Sequence, residues 1–276
     1  MIFETVNLKN HYKTLYNDVD LHSYCPSNYD EYSANRLRKC VIVLPGGGYS
    51  FRSRREEEAI AYQFLAADMA VFVLDYSIAY KIKYPCPMAE VFAAVVYIRK
   101  NNDYYHVNPN AICVIGFSAG GHLAASSAAF CHSEEYAKFL NVDLKEIEIN
   151  GCILSYPVIC STYSHLETIK NISQGDEKLK ELFSIEKHVT KEFPKTFIWH
   201  TTFDDAVSVS NSLRLANEFE KNKVFFEMHI YPVGNHGISL ANETVYKDDI
   251  DKQYLKDIEY SSQWIKQAIH FVDKYI

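Results

Sequence analysis

The sequence predicts an α/β protein, with a mostly parallel central sheet flanked by helices on both faces. Three observations carry this expectation. Short apolar runs alternate with stretches of helical spacing through most of the 276 residues. The central runs are near-continuously apolar, as strands buried on both faces are. Several runs end in loops rich in Gly or Asp, and the carboxyl ends of such strands are where α/β sheets place their chemistry.

The elements follow in order. Residues 2–8 and 18–24 read as strands that add an antiparallel edge. Residues 39–45 (KCVIVLP) form a buried strand that enters a Pro-Gly-Gly-Gly loop. Residues 54–67 switch to helical spacing, and 70–76 (AVFVLDY) return to a strand. Pro85 and Pro87 precede a helix at 88–101. A strand at 111–115 (AICVI) runs through a Gly-rich turn into a helix of small residues, 119–130, and a further strand covers 151–155. Residues 157–194 carry no strong strand signal and read as an insertion of short helices and loops, a candidate small cap. Strands at 196–200 and 224–230 enclose a helix at 209–221, and the last helix spans 251–272. With no repeat, low-complexity tract or linker, residues 1–276 read as one domain.

Composition narrows the function classes. Hydrophobic residues make up 48% and charged residues 23%, an ordinary globular balance. The many Tyr and Phe are read as core packing. A net charge of −7 argues against a nucleic-acid partner and against attraction to an anionic membrane. The seven Cys form no C-x-x-C pair, and buried reduced thiols are the simplest account. The start, MIFETVNLKN, lacks the pattern of a secretion signal, and no stretch has the length of a bilayer span, so a cytoplasmic protein is expected.

Residues 116–120 are Gly-Phe-Ser-Ala-Gly, a G-x-S-x-G string between a strand and a helix. A tight turn there projects the hydroxyl of Ser118 above the sheet edge, and Gly116 and Gly120 are required because neighbouring backbone comes close. An ordinary helix-capping serine is the competing reading. A serine hydroxyl needs a base. His236, in Gly-Asn-His-Gly (234–237) after the strand 224–230, is the candidate. The acid should follow a strand between the two, and Asp204 and Asp205, after strand 196–200, are both placed for it. One of them faces the histidine; its neighbour faces solvent or caps the next helix. The order Ser, Asp, His is that of the α/β-hydrolases. Gly47 and Gly48, in Pro-Gly-Gly-Gly-Tyr (45–49), join the amide of Ala119 as candidate oxyanion donors. A phosphate-binding loop would need G-x-G-x-x-G or a Lys-Ser/Thr ending, and a metalloprotease would need H-E-x-x-H; neither occurs, and no cofactor or metal is expected.

The segments PGGGYSFRSRREEEAIA (45–61), VFVLDYSIA (71–79), VIGFSAGGHLAA (114–125), WHTTFDDAVSVSNS (199–212) and HIYPVGNHGISLA (229–241) resemble small esterases of the α/β-hydrolase superfamily. These are the carbohydrate (acetylxylan-type) esterases, often labelled sugar hydrolases, and their hormone-sensitive-lipase-like relatives. The resemblance implies Asp204 rather than Asp205 as the acid. It further implies hydrolysis of short acyl esters, with acetylated sugars among the small-molecule substrates. Pro45 replaces the His of many hormone-sensitive-lipase-like enzymes, and Ser208 stands where a Pro is frequent. An amidase, formamidase or small peptidase of the same fold is the rival enzymatic reading, and a binding protein without activity the rival class. A glycosidase would need paired carboxylates across the bond, which no segment suggests. Self-association into a homo-oligomer is left open.

Overall fold

The computed structural model describes residues 1–82, 84–161 and 166–276. Eight strands form one sheet: β1 (Ile2–Asn7), β2 (Asp20–Cys25), β3 (Arg38–Leu44), β4 (Ala70–Leu74), β5 (Val107–Phe117), β6 (Gly151–Ser155), β7 (Lys195–Thr201) and β8 (Phe226–Tyr231). Their spatial order is β1-β2-β4-β3-β5-β6-β7-β8. β1 and β2 are antiparallel, as the sequence suggests for an edge, and β3 through β8 run parallel.

The helices are α1 (Glu58–Ala66), α2 (Met88–Lys100), α3 (Asn102–Tyr105), α4 (Ala119–Phe130), α5 (Glu134–Leu140), α6 (Leu166–Ser173), α7 (Glu177–Leu182), α8 (Ser210–Asn222), α9 (Lys252–Ile258) and α10 (Trp264–Tyr275). Successive strand residues point to opposite faces, so the sheet feeds two cores. Cys40, Ile42, Leu44, Phe72 and Val114 pack against α2, α4 and α8. Val41, Val43, Val71, Ile115 and Phe197 pack against α1 and α10. In α10 the buried residues Trp264, Ile265, Ala268, Phe271 and Val272 recur at helical spacing, one apolar stripe facing the sheet. All seven cysteines are free and buried. Among the described residues no helix is long and apolar enough to cross a membrane.

Several boundaries differ from expectation. The helix expected over 54–67 is a 3-10 turn (Arg54–Glu56) followed by α1, because Glu56 turns inward to bind backbone elsewhere. The strand expected at 70–76 ends at Leu74, one ladder bond short of where the Asp75 amide still meets the Asp20 carbonyl of β2. The strand expected at 111–115 extends over Val107–Phe117. β8 starts at Phe226 rather than 224: Lys223, at φ +59°, closes α8 and sends the Val224 amide back to the Phe219 carbonyl. The helix expected at 251–272 divides into α9, a 3-10 turn (Glu259–Gln263) and α10. At that break Ser261 donates to the Val233 carbonyl and the Trp264 indole to the Ser239 carbonyl, so the division is set by bonds to the loop after β8. Within 157–194, α6, α7 and a 3-10 turn (Ile185–Lys187) are found; 162–165 lie outside the described residues.

The join of β5 and α4 is closely packed backbone against backbone. A Cβ on Gly116 would lie 2.0 Å from the Gly120 carbonyl oxygen, and a Cβ on Gly120 would lie 2.1 Å from the Leu44 carbonyl oxygen. Backbone cannot yield there as a side chain could. Gly120→Ala is expected to cost about 3 kcal/mol of stability, at the upper end of overpacking penalties. Thermal unfolding measures it, and a melting temperature equal to the wild type's would contradict this packing.

Candidate active site

Strand register brings the site together. Leu44 of β3 pairs with Gly116 of β5, Phe117 with Ser155 of β6, Ser155 with Trp199 of β7, and Thr201 with Tyr231 of β8. The carboxyl ends of these strands therefore lie along one rim, and the loops that follow them meet above it.

Ser118 stands at the turn between β5 and α4 with φ +53° and ψ −115°, a conformation few non-glycine residues adopt. Its side chain makes no capping bond to the helix, which sets aside the capping-serine reading. Backbone bonds hold the strained turn: the Ser118 amide donates to the Ser155 carbonyl, and the Ser118 carbonyl accepts from the amides of His122 and Val158. The hydroxyl donates to Nε2 of His236 at 2.7 Å.

His236 lies between Gly234 (φ +139°) and Gly237 (φ +74°), so the loop carrying it bends as few other residues would permit. Its Nδ1 is 2.7 Å from Oδ2 of Asp204. A carboxylate only accepts, so the ring proton sits on Nδ1 and Nε2 has its lone pair free for the serine hydroxyl. The ring stands edge-on to Tyr156, with centroids 5.2 Å apart.

The Asp204 side chain is 1% exposed. Its Oδ1 accepts the amides of Ala206 and Val207 at 3.0 and 2.7 Å. Oδ2 faces His236 and also Nε2 of His200, at 3.3 Å. Nε2 of His200 also donates to the Val207 carbonyl, while Nδ1 accepts from the Ser212 hydroxyl. Burial pushes the Asp204 carboxyl upward, but the bonds from His200, His236 and the Val207 amide outweigh it and hold the group well below the usual carboxylate range.

Gly47 (φ +132°) and Gly48 (φ +61°) form the floor of the loop after β3, and a Cβ on Gly47 would strike the Phe51 carbonyl at 2.0 Å. Their amides make no backbone hydrogen bond among the described residues. The Gly46 amide, in contrast, is bound to Glu56, and the Gly48 carbonyl accepts from Asn171 of α6. The Ala119 amide opens α4 and has no intrahelical acceptor. A cavity of about 290 Å3 opens beside Ser118 and His236. Gly47, Gly48 and Phe51 form one wall, Glu167 and Thr168 of α6 another, and Ala206 and Val207 a third. Among the described residues no group of three or more His, Cys, Asp or Glu side chains is gathered as a metal site would require.

The structure thus brings Ser118, His236 and Asp204 into one hydrogen-bonded chain and sets Gly47, Gly48 and Ala119 around it. Asp205 is exposed, as expected of the neighbouring carboxylate, and it also accepts the His236 backbone amide at 2.9 Å. Sequence reasoning did not single out His200, Glu56, Tyr156 or Asn171. His200 had the nearest signal, since it stands at the end of a strand four residues before Asp204. His122 is packed in α4: it is buried, its Nδ1 faces the Tyr49 hydroxyl, and burial pushes its pKa down to about 4.

A parallel sheet with its reactive loops on the carboxyl rim, and a serine on a strand-to-helix turn, define an α/β-hydrolase fold. The BD-FAE family profile matches residues 27–219, and the chain belongs to that family. It is 35% identical to endo-1,4-beta-xylanase B of Butyrivibrio fibrisolvens over 217 residues, covering 76% of this chain and 34% of that protein. It is 27% identical to the acetylxylan esterase of Xylanibacter ruminicola over 241 residues, covering 84% of this chain and 46% of that protein. The chain therefore spans less than half the length of either curated relative. The crystal structure of the carboxylesterase Cest-2923 from Lactobacillus plantarum superposes with a TM-score of 0.88 at 26% identity, covering 99% of this chain and 98% of that one.

The depressed Asp204 carboxyl has a pH consequence. A group ionised more readily in the folded than in the unfolded chain stabilises the fold above the unfolded value, and that contribution fades as pH falls below about 4. Asp204→Asn is expected to lower the melting temperature more at pH 7 than at pH 3. Equal losses at both values would show that the carboxylate's charge contributes nothing to stability.

Proposed function

We propose that the chain is a serine esterase that cleaves short acyl groups, acetyl foremost, from small substrates, acetylated sugars among them. One observation carries the reading: the unbroken relay from the Ser118 hydroxyl through His236 to Asp204, with both hydrogen bonds at 2.7 Å. A surface histidine or a capping serine would have no reason to meet a buried carboxylate in this order. The names of the acetylxylan esterase and the carboxylesterase among its relatives support the substrate class. A cavity of about 290 Å3 suits a small acyl group better than a long chain.

In the proposed cycle His236 takes the Ser118 proton through Nε2 as the oxygen attacks the ester carbonyl. The imidazolium that forms is paired with Asp204, whose charge is already fixed by amides and by His200. The carbonyl oxygen, now negative, is received by the amides of Gly47 and Gly48 together with that of Ala119 at the head of α4. His236 returns its proton to the departing alcohol, and a water enters by the same path to release the acyl group from Ser118.

Ser118→Ala should leave the fold intact and lower turnover of p-nitrophenyl acetate by about 10⁴-fold or more. Turnover near the wild-type rate would remove Ser118 from the chemistry. Substrate class is tested by comparing acetylated xylo-oligosaccharides, p-nitrophenyl esters of rising chain length, formamides and aminoacyl amides. Acetyl esters should give the highest kcat/KM; faster amide cleavage would replace the esterase reading with an amidase one.

A further inference from the structure

Glu56 is an acid in an unusual place. It is 2% exposed, lines the cavity beside Ser118, and is bonded to no cation among the described residues. Burying a carboxyl group is costly unless its oxygens are bonded. Both are: Oε2 accepts the Gly46 amide at 2.8 Å, and Oε1 accepts the Tyr156 hydroxyl at 2.6 Å. The same hydroxyl oxygen accepts the amide of Ser239, three residues beyond His236, at 3.1 Å. Ser239 is fastened again, its hydroxyl to the Arg55 carbonyl and its carbonyl to the Trp264 indole. None of these bonds belongs to the relay, yet one end of the chain is the residue before Gly47 and the other lies on the histidine loop. The space at Gly46 is narrow, since a Cβ there would lie 3.1 Å from Cβ of Ser118, so a displaced Gly46 would press directly on the nucleophile.

We propose that Glu56, acting through Tyr156, is a positioning residue that fixes the oxyanion loop and the histidine loop relative to each other. The proposal rests on the esterase reading of this site. Glu56 touches no reacting atom. It sets the direction in which the Gly47 and Gly48 amides follow Gly46, and it sets the height at which the His236 ring meets Ser118. Misplacing either by about 1 Å is enough to lose about 100-fold in rate. Uncorrected substrate binding would suffer less, because the cavity walls at Thr168, Ala206 and Val207 are held by other elements.

The test measures kcat and KM on p-nitrophenyl acetate for Glu56→Ala, Glu56→Gln and Tyr156→Phe, each expressed per active site titrated with a fluorophosphonate. Glu56→Ala should lower kcat about 100-fold with KM little changed, and Glu56→Gln, which keeps an acceptor for Gly46, should recover about tenfold of that loss. Tyr156→Phe keeps the ring and loses only the hydroxyl, so it carries the test even where Glu56→Ala folds poorly. It should also lower kcat, and adding it to Glu56→Gln should cost less than the product of the single losses. A merely structural role would reduce the number of titrated sites and leave kcat per site unchanged in all three, which would overturn the proposal alone. A wild-type chain with no turnover of any ester would overturn the esterase reading and this proposal with it.

Discussion

The close approach of backbone at the β5–α4 turn governs where everything else in the site can stand. Gly116 and Gly120 face each other with no room for a methyl group, and Gly120 also presses on the end of β3. That contact lets α4 start directly over the sheet edge, so the Ala119 amide and the loop after β3 reach the same rim. It also forces Ser118 into its positive φ. A residue in such a conformation costs about 1–3 kcal/mol. The surrounding backbone bonds to Ser155, His122 and Val158 hold it there. The serine hydroxyl stands above the sheet because the turn leaves it no other direction.

Two buried carboxyls near this turn shift in opposite directions, and the difference lies in their donors. Burial raises both. Asp204 receives two backbone amides and faces two histidines, which together carry it below the ordinary range. Glu56 receives one amide and one hydroxyl, and burial prevails, so its carboxyl lies above the ordinary value. The first arrangement keeps a permanent negative charge against Nδ1 of His236. The second supplies a rigid brace with weaker preference for charge, close to where the proposed mechanism develops an oxyanion.

Much of the architecture was legible because it obeys short-range rules. Apolar runs such as 39–45 and 151–155 are strands buried on both faces, and the small residues of 119–130 form the helix their spacing suggests. Ser118 and His236 were readable because each follows a strand in a recognisable loop; chain order left Asp204 and Asp205 both open, and the resemblance to esterases pointed to Asp204. Glu56 was not, since nothing local distinguishes it from Glu57 and Glu58 in the run Arg-Arg-Glu-Glu-Glu. Its inward turn is decided by Tyr156, 100 residues away. The break between α9 and α10 was hidden for the same reason, because its cause is the loop at Val233 and Ser239. Asn171, in the insertion without a strand signal, reaches the Gly48 carbonyl, a contact that no periodicity encodes.

The central claim is that Ser118, whose hydroxyl opens on the cavity, has a base held against it by a fixed acid. Incubation with diethyl p-nitrophenyl phosphate followed by intact-mass measurement and peptide mapping tests it most directly. The account predicts one diethylphosphoryl group per chain, on the peptide containing Ser118, with release of one p-nitrophenolate. A folded chain that stays unmodified, or one that carries the group on another residue, would contradict it.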